Sequence, residues 1–255
     1  MGNFITKTDY YFAELFHNLC VWGGKFTNVL MKLISYIGEY GALFLLIGLG
    51  LALFKRTRKI GGTIILSIAI GFVISNLILK NAIQRIRPFE ASSQFKQWWE
   101  CSNGKFESGY SFPSGHVTAS MAFAVAVMLT TNKKRSWPVL FLPVIMASSR
   151  MYLMVHYFTD CLGGMAVGLV GGLIAYFILN WIYKSEIKLF VWIRQLNLFT
   201  SKSSESKSSK NKRKVETKQS TQVDNYNQQG SDNEGSALVN QKTQEIEQQE
   251  NINTK

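Results

Sequence analysis

Cysteine is scarce in this chain. Its three copies, Cys20, Cys101 and Cys161, stand far apart with no CxxC pairing, which excludes a cysteine zinc site or a disulfide framework as the organising element. Acidic residues are scarce in only one segment. Residues 1–200 hold 8 Asp and Glu against 19 Lys and Arg, whereas residues 201–255 hold 8 against 9. The net charge of +12 is therefore almost entirely a property of the first segment. The N-terminus lacks a basic region followed by a clean apolar stretch and a small-residue cleavage site, so no signal peptide is expected. Residues 201–255 have few large apolar side chains. Such a tail cannot bury enough surface to offset the entropy of ordering, and it is expected to be disordered.

What residues 1–200 do have is long apolar runs. A bilayer core needs about 20 mostly apolar residues per helix, fewer when flanking groups snorkel. Residues 37–54, 60–79, 114–131, 137–158 and 161–183 qualify. A weaker sixth candidate, residues 18–36, carries Lys25 and Lys32 on one helical face; it either spans or lies in the interface as an amphipathic helix, and spanning is the expectation. The expected fold is thus all-α, a polytopic membrane bundle of six transmembrane helices. It divides into an N-terminal helix (1–36), a membrane domain (37–185), a juxtamembrane segment (186–200) and the tail (201–255). The loops KRTRK (55–59) and NKKRS (132–136) are densely basic and separated by two spans, which places both in the cytoplasm. The loop 81–113 and the junction at 153–160 then face the opposite side, and the tail is cytoplasmic. Basic residues confined to such loops do not form the exposed face that nucleic acid requires, so no nucleic-acid partner is expected.

Ionisable residues near membrane spans are costly unless paired or hydrated, and here they form three clusters. In KNAIQRIRP, Lys80 and Arg87 are seven residues apart, two helical turns, and Pro88 disfavours helix at Arg87. FPSGHVTASM opens a span: Pro113 and Ser114 suit a helix start, Gly115 permits close approach, and the free amides of a helix N-terminus attract anions beside His116. In SSRMYLMVHYFTD, Arg150 interrupts an apolar run, His156 follows, and Asp160 is four residues later, the pairing that fixes the tautomer and raises the basicity of an imidazole. With the loops assigned as above, all three clusters fall at the non-cytoplasmic ends of their spans, where they can share one pocket.

Three cations, Lys80, Arg87 and Arg150, together with helix-terminal amides suit a dianionic tetrahedral group, since arginine forks match phosphate oxygens. A divalent metal is not required by one carboxylate and two histidines, and no cofactor is expected. Two histidines permit a division of labour in phosphoryl transfer. His156, held basic by Asp160, attacks phosphorus; His116 protonates the departing oxygen and then activates water.

These residues resemble the type 2 phosphatidic acid phosphatase family, which includes bacterial undecaprenyl pyrophosphate phosphatases and shares its site with vanadium haloperoxidases. The family's motifs are a lysine, six residues, then Arg-Pro; Pro-Ser-Gly-His; and Ser-Arg, five residues, His, three residues, Asp. Here they are Lys80, Arg87 and Pro88; Pro113, Ser114, Gly115 and His116; Ser149, Arg150, His156 and Asp160. The resemblance covers about residues 37–183. It implies metal-independent dephosphorylation of a lipid phosphate on the extracytoplasmic face, with His156 as nucleophile, Asp160 its partner and His116 the general acid. It further implies that Lys80, Arg87, Arg150, Ser114 and Gly115 hold phosphate. Many members have glycine and proline where this chain has Met154 and Phe158.

The expected function is therefore an integral membrane lipid phosphatase. Undecaprenyl pyrophosphate is the first substrate, then phosphatidate or phosphatidylglycerol phosphate. A phosphotransferase would use the same residues, and a bundle that merely anchors the tail to an unspecified partner is the non-catalytic alternative. Trp98 and Trp99, in the loop between the first two clusters, are expected to be interfacial anchors.

Overall fold

The computed structural model describes residues 7–185, so the expected juxtamembrane segment and disordered tail lie outside the described residues. Within them all regular structure is helical. The chain runs through α1 (Lys7–Ile37), a 3₁₀ turn (Glu39–Gly41), α2 (Ala42–Leu53) and α3 (Arg58–Phe72). A π-helical stretch, Val73–Leu79, then leads into α4 (Lys80–Ile83), α5 (Pro88–Ala91) and α6 (Ser93–Cys101). After a loop come α7 (Gly115–Thr130), α8 (Lys133–Ser136), a 3₁₀ turn (Trp137–Leu140), α9 (Phe141–Tyr152) and α10 (Phe158–Lys184).

Two stretches are long and apolar enough to cross a membrane, Arg58–Ala91 and Phe158–Lys184, with mean hydropathy 2.3 and 2.1. A third exists if α1 and α2, bent by 43°, are taken as one broken span. The other expected spans are shorter as helices: α7 has 16 residues and α9 has 12, against a bilayer core of about 30 Å and a rise of about 1.5 Å per residue.

Residues 18–36 do not make a single straight helix. Gly24 has φ 53 and ψ −135, a backbone conformation open to glycine and costly for residues with a Cβ. The chain folds back there so sharply that the Cys20 thiol lies 3.5 Å from Asn28 Oδ1, eight residues on. Both arms of α1 reach one region of the fold. Asp9 on the first accepts from the Thr159 amide at 2.9 Å, and the Met31 carbonyl on the second accepts from Ser149 Oγ at 2.6 Å.

The span expected at 137–158 is also shorter, because α9 ends at Tyr152. Met154 takes φ 53, the left-handed region, which costs a side-chain-bearing residue about 1 kcal/mol. A glycine there would adopt it at no steric cost. Phe158 is the first residue of α10, the position where proline fits a helix best. Both departures from the family pattern thus fall where the backbone, rather than the chemistry, sets the preference.

Close helix approach comes from small residues, the main packing device available where lipid is as apolar as leucine. A Cβ on Gly164 would stand 2.7 Å from the Ser114 carbonyl, one on Gly168 2.5 Å from that of Thr118, and one on Gly172 2.6 Å from Val125. This ridge of glycines four apart lets α7 lie directly on α10. Ser67 on α3 donates to the Ala122 carbonyl on α7 at 3.2 Å. Phe44, Ile64, Ile68, Ala119, Ala122 and Ala126 fill the core between α2, α3 and α7. Outward rows such as Phe72, Leu77, Phe177 and Trp181 remain exposed, as lipid-facing positions would be. Lys59 at the start of α3 bonds Asn180 near the end of α10 at 3.0 Å, so the basic turns mark one end of the bundle.

At the other end, Trp98 and Trp99 do not stand out as anchors. Trp98 is buried and stacks on His17 with ring centroids 4.7 Å apart. Trp99 packs on Phe89 at 5.3 Å.

Candidate active site

The end opposite the basic turns gathers the C-terminal side of α3 and its π-helical extension, the N-terminus of α7, the end of α9 and the start of α10. A cavity of about 380 Å³ opens there, lined by Lys80, Arg87, Glu107, Gly115, His116 and His156 among others. A second chamber of about 250 Å³ shares Glu39, Lys105, Glu107 and His116 with it and adds Arg150. Five of the expected site residues therefore line one cavity, and Arg150 lines its neighbour. Ser114 and Asp160 stand behind the wall.

Lys80 and Arg87 meet by a route other than a shared helical face. The helix ends at Ile83 because Gln84 takes φ 52, and Arg87 is extended before Pro88, with ψ 153, as the proline requires. Arg87 is 3% exposed and is held by carbonyls: Nε donates to Gly109 O at 3.0 Å, Nη1 to Val155 O at 3.0 Å and Nη2 to Ser108 O at 3.3 Å. Upstream, Phe72 at the end of α3, Ser75 and Asn76 of the π-helical stretch and Lys80 of α4 line the same cavity, an instance of a π-helix at a candidate site.

At the start of α7, Ser114 occupies the N-cap with extended backbone and no side-chain capping bond. Its amide donates to the Asp160 carbonyl at 3.1 Å. Its hydroxyl is buried and has no partner among the described residues. Gly115 faces the cavity, and a Cβ there would meet Asn76 only at an ordinary 3.6 Å. Packing against protein therefore does not by itself demand glycine at this position.

His156 lies in the turn between α9 and α10 and is 3% exposed. Burial, reinforced by Arg87 and Arg150, pushes its pKa well below the ordinary imidazole range, which keeps the ring neutral and its lone pair available. Nε2 is 3.5 Å from Arg87 Nη1. Nδ1 is 3.6 Å from Asp160 Oδ2 and has no hydrogen-bond partner among the described residues. The expected carboxylate–imidazole pair is thus adjacent but just outside hydrogen-bond length.

Asp160, fully buried, is oriented by other donors. Oδ1 accepts from Arg85 at 2.6 Å, and Oδ2 accepts from the Tyr157 amide at 2.8 Å and from the Ser111 hydroxyl. The hydrogen bond from the Tyr157 amide caps the first turn of α10, in keeping with an acidic group near a helix N-terminus.

Sequence reasoning missed two charged partners. Arg85 is 8% exposed; it pairs with Asp9 at 2.8 Å and Asp160 at 2.6 Å and lies 4.0 Å over the Tyr157 ring. Glu107 pairs with Arg87 at 3.2 Å and also bonds Arg150. Burial alone would raise its carboxyl, but the surrounding positive charge, Arg150 first, outweighs that and brings it down to about 2. The available signal was scarcity, since Asp9 and Glu107 are among only 8 acidic residues in the first 200. An unpaired cationic surplus buried at one end calls for such partners.

Comparisons with known proteins follow this geometry. The undecaprenyl-diphosphatase of Sulfolobus acidocaldarius is 32% identical over 139 residues, 53% of this chain and 64% of that protein. The lipid A 4'-phosphatase of Porphyromonas gingivalis is 30% identical over 123 residues, 48% of this chain and 52% of that protein. The matches thus span less than two thirds of these relatives' own length. The crystal structure of a transmembrane PAP2 type phosphatidylglycerolphosphate phosphatase from Bacillus subtilis superposes with a TM-score of 0.51 at 24% identity, covering 72% of this chain and 90% of that one, a likeness of fold. The model of the PAP2 superfamily matches residues 57–185, a stretch that contains Lys80, His116, His156 and Asp160, and the chain belongs to that superfamily.

Proposed function

We propose that the protein is an integral membrane lipid phosphatase that hydrolyses a phosphomonoester or pyrophosphate through a phosphohistidine on His156. The observation that carries this reading is the single cavity lined by Lys80, Arg87, Gly115, His116 and His156. The phosphoryl group sits against Lys80, Arg87, Arg150, the Ser114 hydroxyl and the Gly115 amide, groups whose charge and dipoles are worth most as the phosphoryl oxygens gain charge in the transition state. His156 Nε2 attacks phosphorus in line with the leaving oxygen, and Asp160 balances the positive charge that develops on the ring. His116 gives its proton to the departing lipid oxygen. It then takes a proton from water as that water attacks the phosphohistidine, releasing inorganic phosphate and restoring His156.

Undecaprenyl pyrophosphate is the favoured substrate. Two adjoining chambers that share His116 and Glu107 suit a diphosphate headgroup better than a single phosphate. The relative named undecaprenyl-diphosphatase supports the same choice. Phosphatidate and phosphatidylglycerol phosphate are the next candidates.

In the membrane, α2, α3, α7, α9 and α10 cross with their flanking turns, the site end faces outward and the basic turns face the cytoplasm. α1, whose two arms both bond the site-end segment 149–159, takes the interfacial alternative rather than a sixth crossing. The tail is cytoplasmic.

The test is phosphate release from a panel of lipid mono- and diphosphates by purified protein in detergent with chelator present. Wild type is expected to release phosphate and His156→Ala is not; equal release by the two would remove His156 from the mechanism. Transfer of the phosphoryl group to an added alcohol in place of water would instead identify a phosphotransferase.

A further inference from the structure

The structure brings together two cysteines that are 81 positions apart in the sequence. The thiol of Cys20, on the first arm of α1, lies 2.6 Å from that of Cys101 at the end of α6, well inside the contact distance of two unbonded sulfurs. Cys20 is 2% exposed and Cys101 is half-buried, so a reagent reaches the pair through Cys101. The surroundings hold both residues in place. Asn28 donates to the Cys101 carbonyl at 3.1 Å and accepts from the Tyr152 hydroxyl at 2.5 Å, and Thr27 shares a hydrogen bond with that hydroxyl at 2.7 Å. Cys161 is buried elsewhere, 3.9 Å from the Ala147 carbonyl, and does not compete.

We propose that Cys20 and Cys101 are oxidised to a disulfide in the mature protein, a covalent tie between α1 and the helix that precedes the cavity loop. This rests on the reading above that the site end faces outward, the side on which disulfides persist. The reaction is exchange with the disulfide of a thiol oxidant. The Cys101 thiolate attacks one oxidant sulfur and releases the other as a thiolate. The Cys20 thiolate then attacks Cys101 Sγ, breaking the mixed disulfide and releasing the second oxidant thiol. Two protein thiols become one disulfide, and one oxidant disulfide becomes two thiols. Burial and the neighbouring Cys20 push the Cys101 thiol up to about 11, so little thiolate is present near neutrality and uncatalysed oxidation is slow.

The tie lies next to the chemistry. It clamps the arms of α1 around Gly24 near Tyr152, which ends α9 two residues past Arg150, just before the turn that carries His156. Its role is to hold that turn, and reduction is expected to loosen it.

The experiment uses the full chain in membranes of bacteria whose envelope is oxidising. Thiols are blocked with N-ethylmaleimide during extraction, and the protein is digested and mapped without reduction. A Cys20 peptide linked to a Cys101 peptide is expected, together with a lower melting temperature on adding reductant that is absent in Cys20→Ser/Cys101→Ser. Alkylation of both Cys20 and Cys101 in wild type overturns the proposal. In that case a membrane-impermeant maleimide on intact cells separates the causes. Labelling of Cys101 from outside leaves the orientation standing and rejects the disulfide alone, whereas protection from outside rejects both. Phosphate release, measured in parallel, reports the phosphatase reading independently of the thiols.

Discussion

Glu107 and Arg150 are joined in an ion pair at the boundary of the two chambers. Arg87 approaches the same carboxylate at 3.2 Å. A carboxylate therefore stands between the two arginines expected to hold phosphate, and because its pKa is brought down to about 2, it stays charged throughout the working pH range. It compensates two buried cations, and a phosphoryl group held by both arginines would have to take its place.

Glu107→Gln removes that competing charge. The expected outcome is tighter binding of phosphate and vanadate, by about tenfold if the difference is about 1.4 kcal/mol. Competition assays give the inhibition constants. The same variant leaves Arg87 and Arg150 without their anion and is expected to unfold at lower temperature, with a larger upward shift on adding phosphate. Equal inhibition constants in the two proteins would show that Glu107 does not occupy the anion position.

The pH profile follows from His156. Its pKa is depressed by burial, Arg87 and Arg150, so the ring remains unprotonated as the pH falls through the ordinary imidazole value of about 6.5. The acid limb of kcat/KM, which reports the free enzyme, is accordingly expected below that value. Stability responds at a higher pH than activity. The unfolded ring gains a proton there and the folded ring does not, so the contribution of the buried neutral imidazole is present above about pH 6.5 and declines as the pH falls below it. Activity and thermal unfolding measured across the same buffers separate the two effects.

Arg85→Ala leaves Asp9 and Asp160 buried without their cation. Breaking a buried pair from one side typically costs about 3–5 kcal/mol, and because Asp160 Oδ1 loses its partner, activity should fall with stability. Asp9→Asn, which keeps Arg85 on Asp160, is expected to cost less on both counts. Thermal unfolding and phosphate release together test the ordering of the two variants.

Gly168→Ala places a methyl group 2.5 Å from the Thr118 carbonyl across α7 and α10. The expected cost is about 1–3 kcal/mol from overpacking. His116 leads α7 and His156 precedes α10, so separating these helices should lower kcat. Gly50→Ala, at a glycine with open space around it, is the control and is expected to leave both stability and kcat near wild type.

Local chemistry was legible along the chain. The motif spacings placed Lys80, Arg87, His116 and His156 around one cavity, the Ser114–Gly115 pair began a helix, and Pro88 held Arg87 extended. Each of these depends on interactions within a few residues, where backbone sterics and helix-end groups act directly. Helix lengths were less legible, because an apolar run such as 137–158 does not announce a left-handed residue like Met154 inside it.

The sequence by itself determined the class of chemistry: cations, a helix N-terminus and two imidazoles at set spacings, with acids scarce enough that each one matters. Only the tertiary structure decided what those groups face. The bend at Gly24 returns both arms of α1 to the site end, bringing Asp9 to Arg85 and Cys20 to Cys101, and the loop carries Glu107 between Arg87 and Arg150. The physical reason is that local periodicity encodes which face a residue occupies on its own helix, whereas the partner it meets depends on how distant segments pack, which no short window of sequence contains.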